Sequence, residues 1–217
     1  MNKPTRYSPE VLERAERWLQ EQKRISRAMT ALPKLGAKVD HAPMNIFVLN
    51  SGRCGSTTWI RACRHIHNYT AGHESRAHLV GPARLTYPEN HIEADNRLSW
   101  LLGRLDAIYG NQAFYVYLRR DPEATALSFT RRSDFGIMKA YREGILIGAD
   151  PQMSTLSLAR DYLETIEHNI ALFLRDKPHV LEVSLEYEDF LHFWSVIGAE
   201  GDLDAALAEL RIHHNSS

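Results

Sequence analysis

Apolar residues at Val11, Leu12, Ala15, Trp18, Leu19, Ile25 and Met29 recur at helical spacing, behind Ser8 as an N-cap and Pro9 at the first helical position. The pattern predicts a long amphipathic helix to about Met29. The polar, proline-containing segment "ALPKLGAKVDHAP" then links it to the remainder. From Met44 the period changes. "MNIFVLN" reads as a buried strand, and a helix is expected from about Thr57 to His67, then a short strand near "NYTAG". A polar stretch runs from His73 to Asn96, followed by a helix around Leu98 to Tyr109 and a strong strand at "AFYVYL". Asp121 and Pro122 read as cap and first turn of the next helix. A helix from about Ser154 to Arg175, the strand "HVLEVS" and two short C-terminal helices close the pattern.

Strands separated by helices imply βαβ units, so the expected fold is α/β, with a mainly parallel sheet covered on both faces. Residues 1–43 are assigned to the N-terminal helix and linker, and 44–217 to the α/β domain. Ligands of such sheets bind outside the carboxyl ends of the strands, which is where the loops after "IFVL" and "YVYL" fall.

Composition narrows the function classes. With 24% charged residues and a formal net charge of -1, the chain lacks the broad basic excess of a nucleic-acid or membrane-surface binder. A positive site must therefore be local. No apolar stretch approaches the roughly 20 residues of a membrane span, and "MNKPTRYSPEVLERAERW" lacks the apolar core of a signal peptide. The expected compartment is the cytoplasm, which suits a chain whose two cysteines are Cys54 and Cys63.

The loop "NSGRCGSTTW", Asn50 to Trp59, lies between a strand and a helix. Unpaired amides at a helix start, Gly52 and Gly55 to admit close approach, the hydroxyls of Ser56, Thr57 and Thr58, and the guanidinium of Arg53 together make an anion site. The plainer reading is a Gly-Ser cap turn with a surface arginine. A nucleoside-triphosphatase loop would need a lysine after the second glycine, and none is there. A cysteine phosphatase would need Cys-x5-Arg, and "CGSTTWIR" puts Arg61 one position late. "GRCGSTTW" resembles instead the 5'-phosphosulfate loop of sulfotransferases that use 3'-phosphoadenosine 5'-phosphosulfate (PAPS).

"YVYLRRDPEATALSFTRR" carries the resemblance further. In PAPS-dependent sulfotransferases a strand ends in an arginine, and a serine eight residues later joins it on the 3'-phosphate; Arg120 and Ser128 have that spacing. "VLEVSLEYEDF" resembles the strand and "YEDL" segment late in the family, so the resemblance covers Met44 to Ile197. Two departures stand out. Cys54 replaces the small residue that is commonly serine, and no C-terminal Arg-Lys-Gly segment is present, so Arg119, Arg131 or Arg132 is left to compensate.

The resemblance implies sulfuryl transfer from PAPS to a hydroxyl or amine of a small-molecule acceptor, releasing adenosine 3',5'-bisphosphate (PAP), without a metal. Arg53, Cys54, Gly55, Ser56, Thr57, Thr58, Arg120 and Ser128 would bind the nucleotide. Arg53 would also neutralise charge on the leaving phosphate. Glu74 is the favoured base, and His73 stands beside it as the second candidate. The polar run with Tyr87, His91, Glu93 and Arg97 is assigned to acceptor recognition, against a plain solvated loop. Trp59 fits a core position better than an adenine stack. His65, His67, His73, His78 and His91 show no standard zinc spacing. The alternatives are a P-loop-like kinase or nucleotide hydrolase, or a non-catalytic nucleotide-binding module. The sequence leaves the oligomeric state open.

Overall fold

The computed structural model describes residues 44–148, 150 and 152–212, together with Glu13, Arg17 and Gln20, which are helical and exposed. The rest of the expected N-terminal helix and its linker lies outside the described residues.

Five strands form one parallel sheet in the order β2-β3-β1-β4-β5. They are β1 (Ile46–Leu49), β2 (Thr70–His73), β3 (His91–Ala94), β4 (Phe114–Leu118) and β5 (Val180–Val183). Ile46 pairs with Ile92 of β3 on one side and with Phe114 of β4 on the other, so β1 is the central strand. Seven α-helices connect and flank them among the described residues: α1 (Ser56–Cys63), α2 (Leu102–Tyr109), α3 (Pro122–Thr130), α4 (Gly136–Ala140), α5 (Thr155–Leu174), α6 (Tyr187–Val196) and α7 (Leu203–Leu210). None of these is long and apolar enough to cross a membrane.

Alternation along the strands splits the core in two. Phe47, Leu49, Tyr115 and Tyr117 face α2, α3 and α5 through Leu105, Ala126, Phe129, Tyr162 and Ile166. Ile46, Val48, Phe114 and Val116 face α1, α6 and α7 through Trp59, Ile60, Phe190, Phe193 and Leu210. The result is the expected three-layer α/β/α arrangement. Trp59 is fully buried, its ring 5.1 Å from Phe190 and 5.2 Å from Phe193, so it belongs to the core.

The strand reading needs one correction. The polar stretch from His73 to Asn96 is no continuous connection, because His91–Ala94 is β3, paired on both sides and buried throughout. Its apolar residues Ile92 and Ala94 face one core, while His91 and Glu93 point the other way and are satisfied by hydrogen bonds. A half-polar strand reads as a loop until its partners are known.

The topology also creates the crevice. β1 and β4 are neighbours, yet β1 leads to α1 on one face and β4 leads to α3 on the other. The two loops part at the carboxyl edge, at the position where α/β sheets bind ligands.

Candidate functional site: two loops at the carboxyl edge

The first loop is shaped by backbone conformations that few residues adopt. Gly52 and Gly55 both have φ of 89°, and Arg53 between them has φ of 60°. Left-handed residues next to right-handed ones give the turn found in anion-binding nests. A Cβ on Gly52 would lie 2.9 Å from Asn96 Nδ2, and one on Gly55 would lie 2.8 Å from Leu185 Cδ2, so neither glycine is replaceable without movement.

Anchors below hold this shape. The Gly52 amide donates to Asn50 Oδ1 at 3.0 Å, Ser99 Oγ donates to the Asn50 carbonyl at 3.2 Å, and Tyr162 on α5 donates its hydroxyl to the Ser51 carbonyl at 2.8 Å. α1 then opens at Gly55 with no side-chain cap. Its first amides carry the positive end of the helix dipole into the crevice.

The hydroxyls divide. Ser56 and Thr57 are half-buried, and Ser56 Oγ and Thr57 Oγ1 lie 3.1 and 3.4 Å from His73 Nε2 at the end of β2. Thr58, unlike these two, is buried. Cys54 is also buried, and burial pushes its thiol up to about 12. A protonated, enclosed thiol is no nucleophile, which agrees with the missing phosphatase spacing. Only the Cys54 backbone remains to serve a ligand.

The second loop meets the first directly. Arg53 Nε donates to Ser128 Oγ on α3 at 2.9 Å, and Arg120 donates to the Arg53 carbonyl at 3.2 Å. Asp121 caps α3 by accepting from the Ala124 amide at 2.7 Å. That cap starts α3 immediately after Arg120 and sets where Ser128 falls.

Burial, followed by the charges of Arg132, Arg120 and Arg131, holds the Arg53 pKa below the ordinary guanidinium value. Positive charge is thus concentrated locally in a chain whose net charge is -1. An anion at this place would offset the repulsion. Arg131 and Arg132, just past the end of α3, add to the charge felt at Arg53, a contribution the sequence left undecided. Arg119 does not: its side chain is held by Glu182 at 3.0 Å and Glu167 at 3.6 Å.

Opposite the loop lies the β2 end. Glu74 follows His73 with a left-handed φ of 50°, and its Oε2 pairs with Arg97 at 2.8 Å. Both side chains are about a third exposed. Of the four residues assigned to acceptor recognition, only Arg97 has that access. Tyr87 is buried with its ring stacked on His91, and His91 and Glu93 lie within β3, so these three are placed in the interior and not on an open loop.

No family model matches the sequence, and no curated protein matches it. Among solved structures, the crystal structure of mouse sulfotransferase SULT7A1 complexed with PAP is similar, with a TM-score of 0.52 and 14% sequence identity over 79% of this chain. The chain spans 65% of the length of that protein. The likeness is one of fold: a sulfotransferase-like, P-loop-like arrangement of helices about a parallel sheet.

Proposed function

We propose that this protein is a PAPS-dependent sulfotransferase, moving a sulfuryl group to a hydroxyl or amine of a small-molecule acceptor and releasing PAP. The observation that carries the reading is the contact between the two loops, Arg53 to Ser128 and Arg120 to Arg53, which makes one site of two segments that each resemble part of a PAPS site. The PAP-bound state of the similar mouse structure supports the same reading.

The residues present suit the nucleotide. Gly52 and Gly55, with left-handed backbones packed against Asn96 and Leu185, fix the turn that presents the first α1 amides to a phosphate, and the nearby arginines supply the countercharge. In the proposed assignment the α1 amides with Ser56 and Thr57 hold the 5' end, Arg120 and Ser128 hold the 3'-phosphate, and Arg53 spans the two. PAPS, when bound, supplies an activated sulfuryl group whose transfer leaves new negative charge on a phosphate oxygen. Arg53, Ser56 and Thr57 stabilise that charge, and His73 orders the two hydroxyls. Glu74 takes the acceptor proton at Oε1, since Oε2 is engaged by Arg97. The guanidinium of Arg97, a third exposed beside it, is available to orient a polar acceptor.

Arg120→Ala tests the assignment. It is expected to weaken PAP binding by about 2 kcal/mol, the scale of a hydrogen bond to a charged group, with a much smaller loss for ADP, which lacks the 3'-phosphate. Calorimetric titration of both ligands reads the difference, and equal losses would remove Arg120 from the 3'-phosphate.

A further inference from the structure

His91 and Glu93 occupy the same face of β3, and Asp95 continues it two residues on. Glu93 has no solvent exposure. Its carboxylate accepts from the Ser75 amide at 2.7 Å and from Ser75 Oγ at 2.6 Å, and lies 2.9 Å from His91 Nε2. His91 Nδ1 in turn lies 2.7 Å from Thr70 Oγ1 on β2. A Cβ on Gly72 would come within 2.5 Å of Glu93 Oε2, so β2 makes room for this carboxylate with a glycine. A buried carboxylate is tolerated when its lone pairs are filled, and here they are filled largely by one residue of a loop.

That residue adjoins Glu74. The Glu74 amide donates to the Ala94 carbonyl at 2.9 Å, and the next amide, of Ser75, donates to Glu93. The left-handed turn at Glu74 is thus tied to β3 on both sides. Asp95 completes the frame from the other direction. It accepts from the Arg97 amide at 2.8 Å and so sets the start of the 3-10 turn that carries Arg97 to Glu74. Without these ties a glutamate following an edge strand has no reason to stay beside the loop.

We propose that Glu93 is a positioning residue, which acts through Ser75 to hold Glu74, and His73 before it, over the mouth of the first loop. The proposal deepens the sulfuryl-transfer reading and rests on its choice of Glu74 as the base. Glu93 itself, enclosed in the sheet, touches no substrate.

The test is Glu93→Gln in the full chain, which leaves one acceptor oxygen where Ser75 uses two and removes the charge, with Ser75→Ala as a milder companion that removes only the hydroxyl. In both variants amide hydrogen exchange, followed by NMR, is expected to rise about tenfold or more at Glu74 and Ser75, with Val48 and Val116 in the central strands unchanged. Turnover with PAPS is expected to fall about tenfold or more in Glu93→Gln, with KM for PAPS within about threefold. The double variant should be little worse than Glu93→Gln alone, because the two substitutions weaken the same connection.

Unchanged exchange at Glu74 and Ser75, a rise shared equally by the central strands, or a loss confined to KM would overturn the proposal. If Glu93→Gln does not fold, the local exchange and turnover of Ser75→Ala decide. Failure of the unmodified protein to bind PAP would instead overturn the sulfuryl-transfer reading, and the exchange pattern would still decide whether Glu93 holds this turn.

Discussion

Glu74→Gln is expected to lower the turnover of sulfuryl transfer by about 100- to 10,000-fold, the range for losing a general base, while PAP binds as before. The amide keeps the size of the side chain and can still accept from Arg97, so the turn at residues 73–75 survives. What is lost is the ability to take a proton at Oε1. PAP affinity is insensitive because the nucleotide contacts proposed for Arg53, Arg120, Ser128 and α1 do not involve Glu74. His73 gives a contrast. Its Nε2 sits on the hydroxyls of Ser56 and Thr57, so His73→Ala is expected to disturb nucleotide binding as well as turnover. Unchanged transfer in Glu74→Gln, with a large turnover loss at fixed affinity in His73→Ala, would move the base to His73.

The second large effect concerns stability. Burial raises the Glu167 carboxyl to about 7, although Arg119 partly offsets it. Glu167 is 4% exposed and its Oε2 has no hydrogen-bond partner, while Arg119 gives its closer contact to Glu182. Between the unfolded value of 4.5 and the folded value near 7, the folded chain keeps a proton that the unfolded chain has released. This contribution to stability is full below pH 4.5 and is lost as pH rises through 7. Glu167→Gln removes the titration. The stability difference between the two proteins should therefore shift in favour of the variant by about 2 to 3 kcal/mol from pH 5 to pH 8. Urea unfolding at several pH values measures it, and a difference independent of pH would show that Glu167 stays ionised in the folded chain.

Much of the candidate site's local conformation was readable because its signals are local. Glycines at 52 and 55, the cap-and-proline pair Asp121–Pro122 and the eight-residue step from Arg120 to Ser128 each depend on a few neighbouring residues. β3 was not readable for the opposite reason. His91 and Glu93 look solvent-facing until Thr70 and Ser75 are brought across the sheet to meet them, and nothing within "HIEADN" announces those partners. The acceptor assignment of Tyr87, His91 and Glu93 came from the same reading of β3 as an open loop. The arginine cluster lies between the extremes. Arg131 and Arg132 were visible as charges, but which of three nearby arginines adds its charge at Arg53 depends on where α3 ends and on Glu167 and Glu182, which hold Arg119. Thr58 and Cys54 show the limit at the loop itself, since both are buried despite their place in the motif, Thr58 in the first turn of α1 and Cys54 in the left-handed turn before it.

The sulfuryl-transfer account rests on a 3'-phosphate site beside a 5'-phosphate loop. Calorimetric titration of the purified protein with PAP and with ADP, without added magnesium, tests this most directly. A strong preference for PAP is the predicted result. Equal affinity for the two ligands, or binding of ADP that requires magnesium, would contradict it and point to kinase or nucleotide hydrolase chemistry at the same loops.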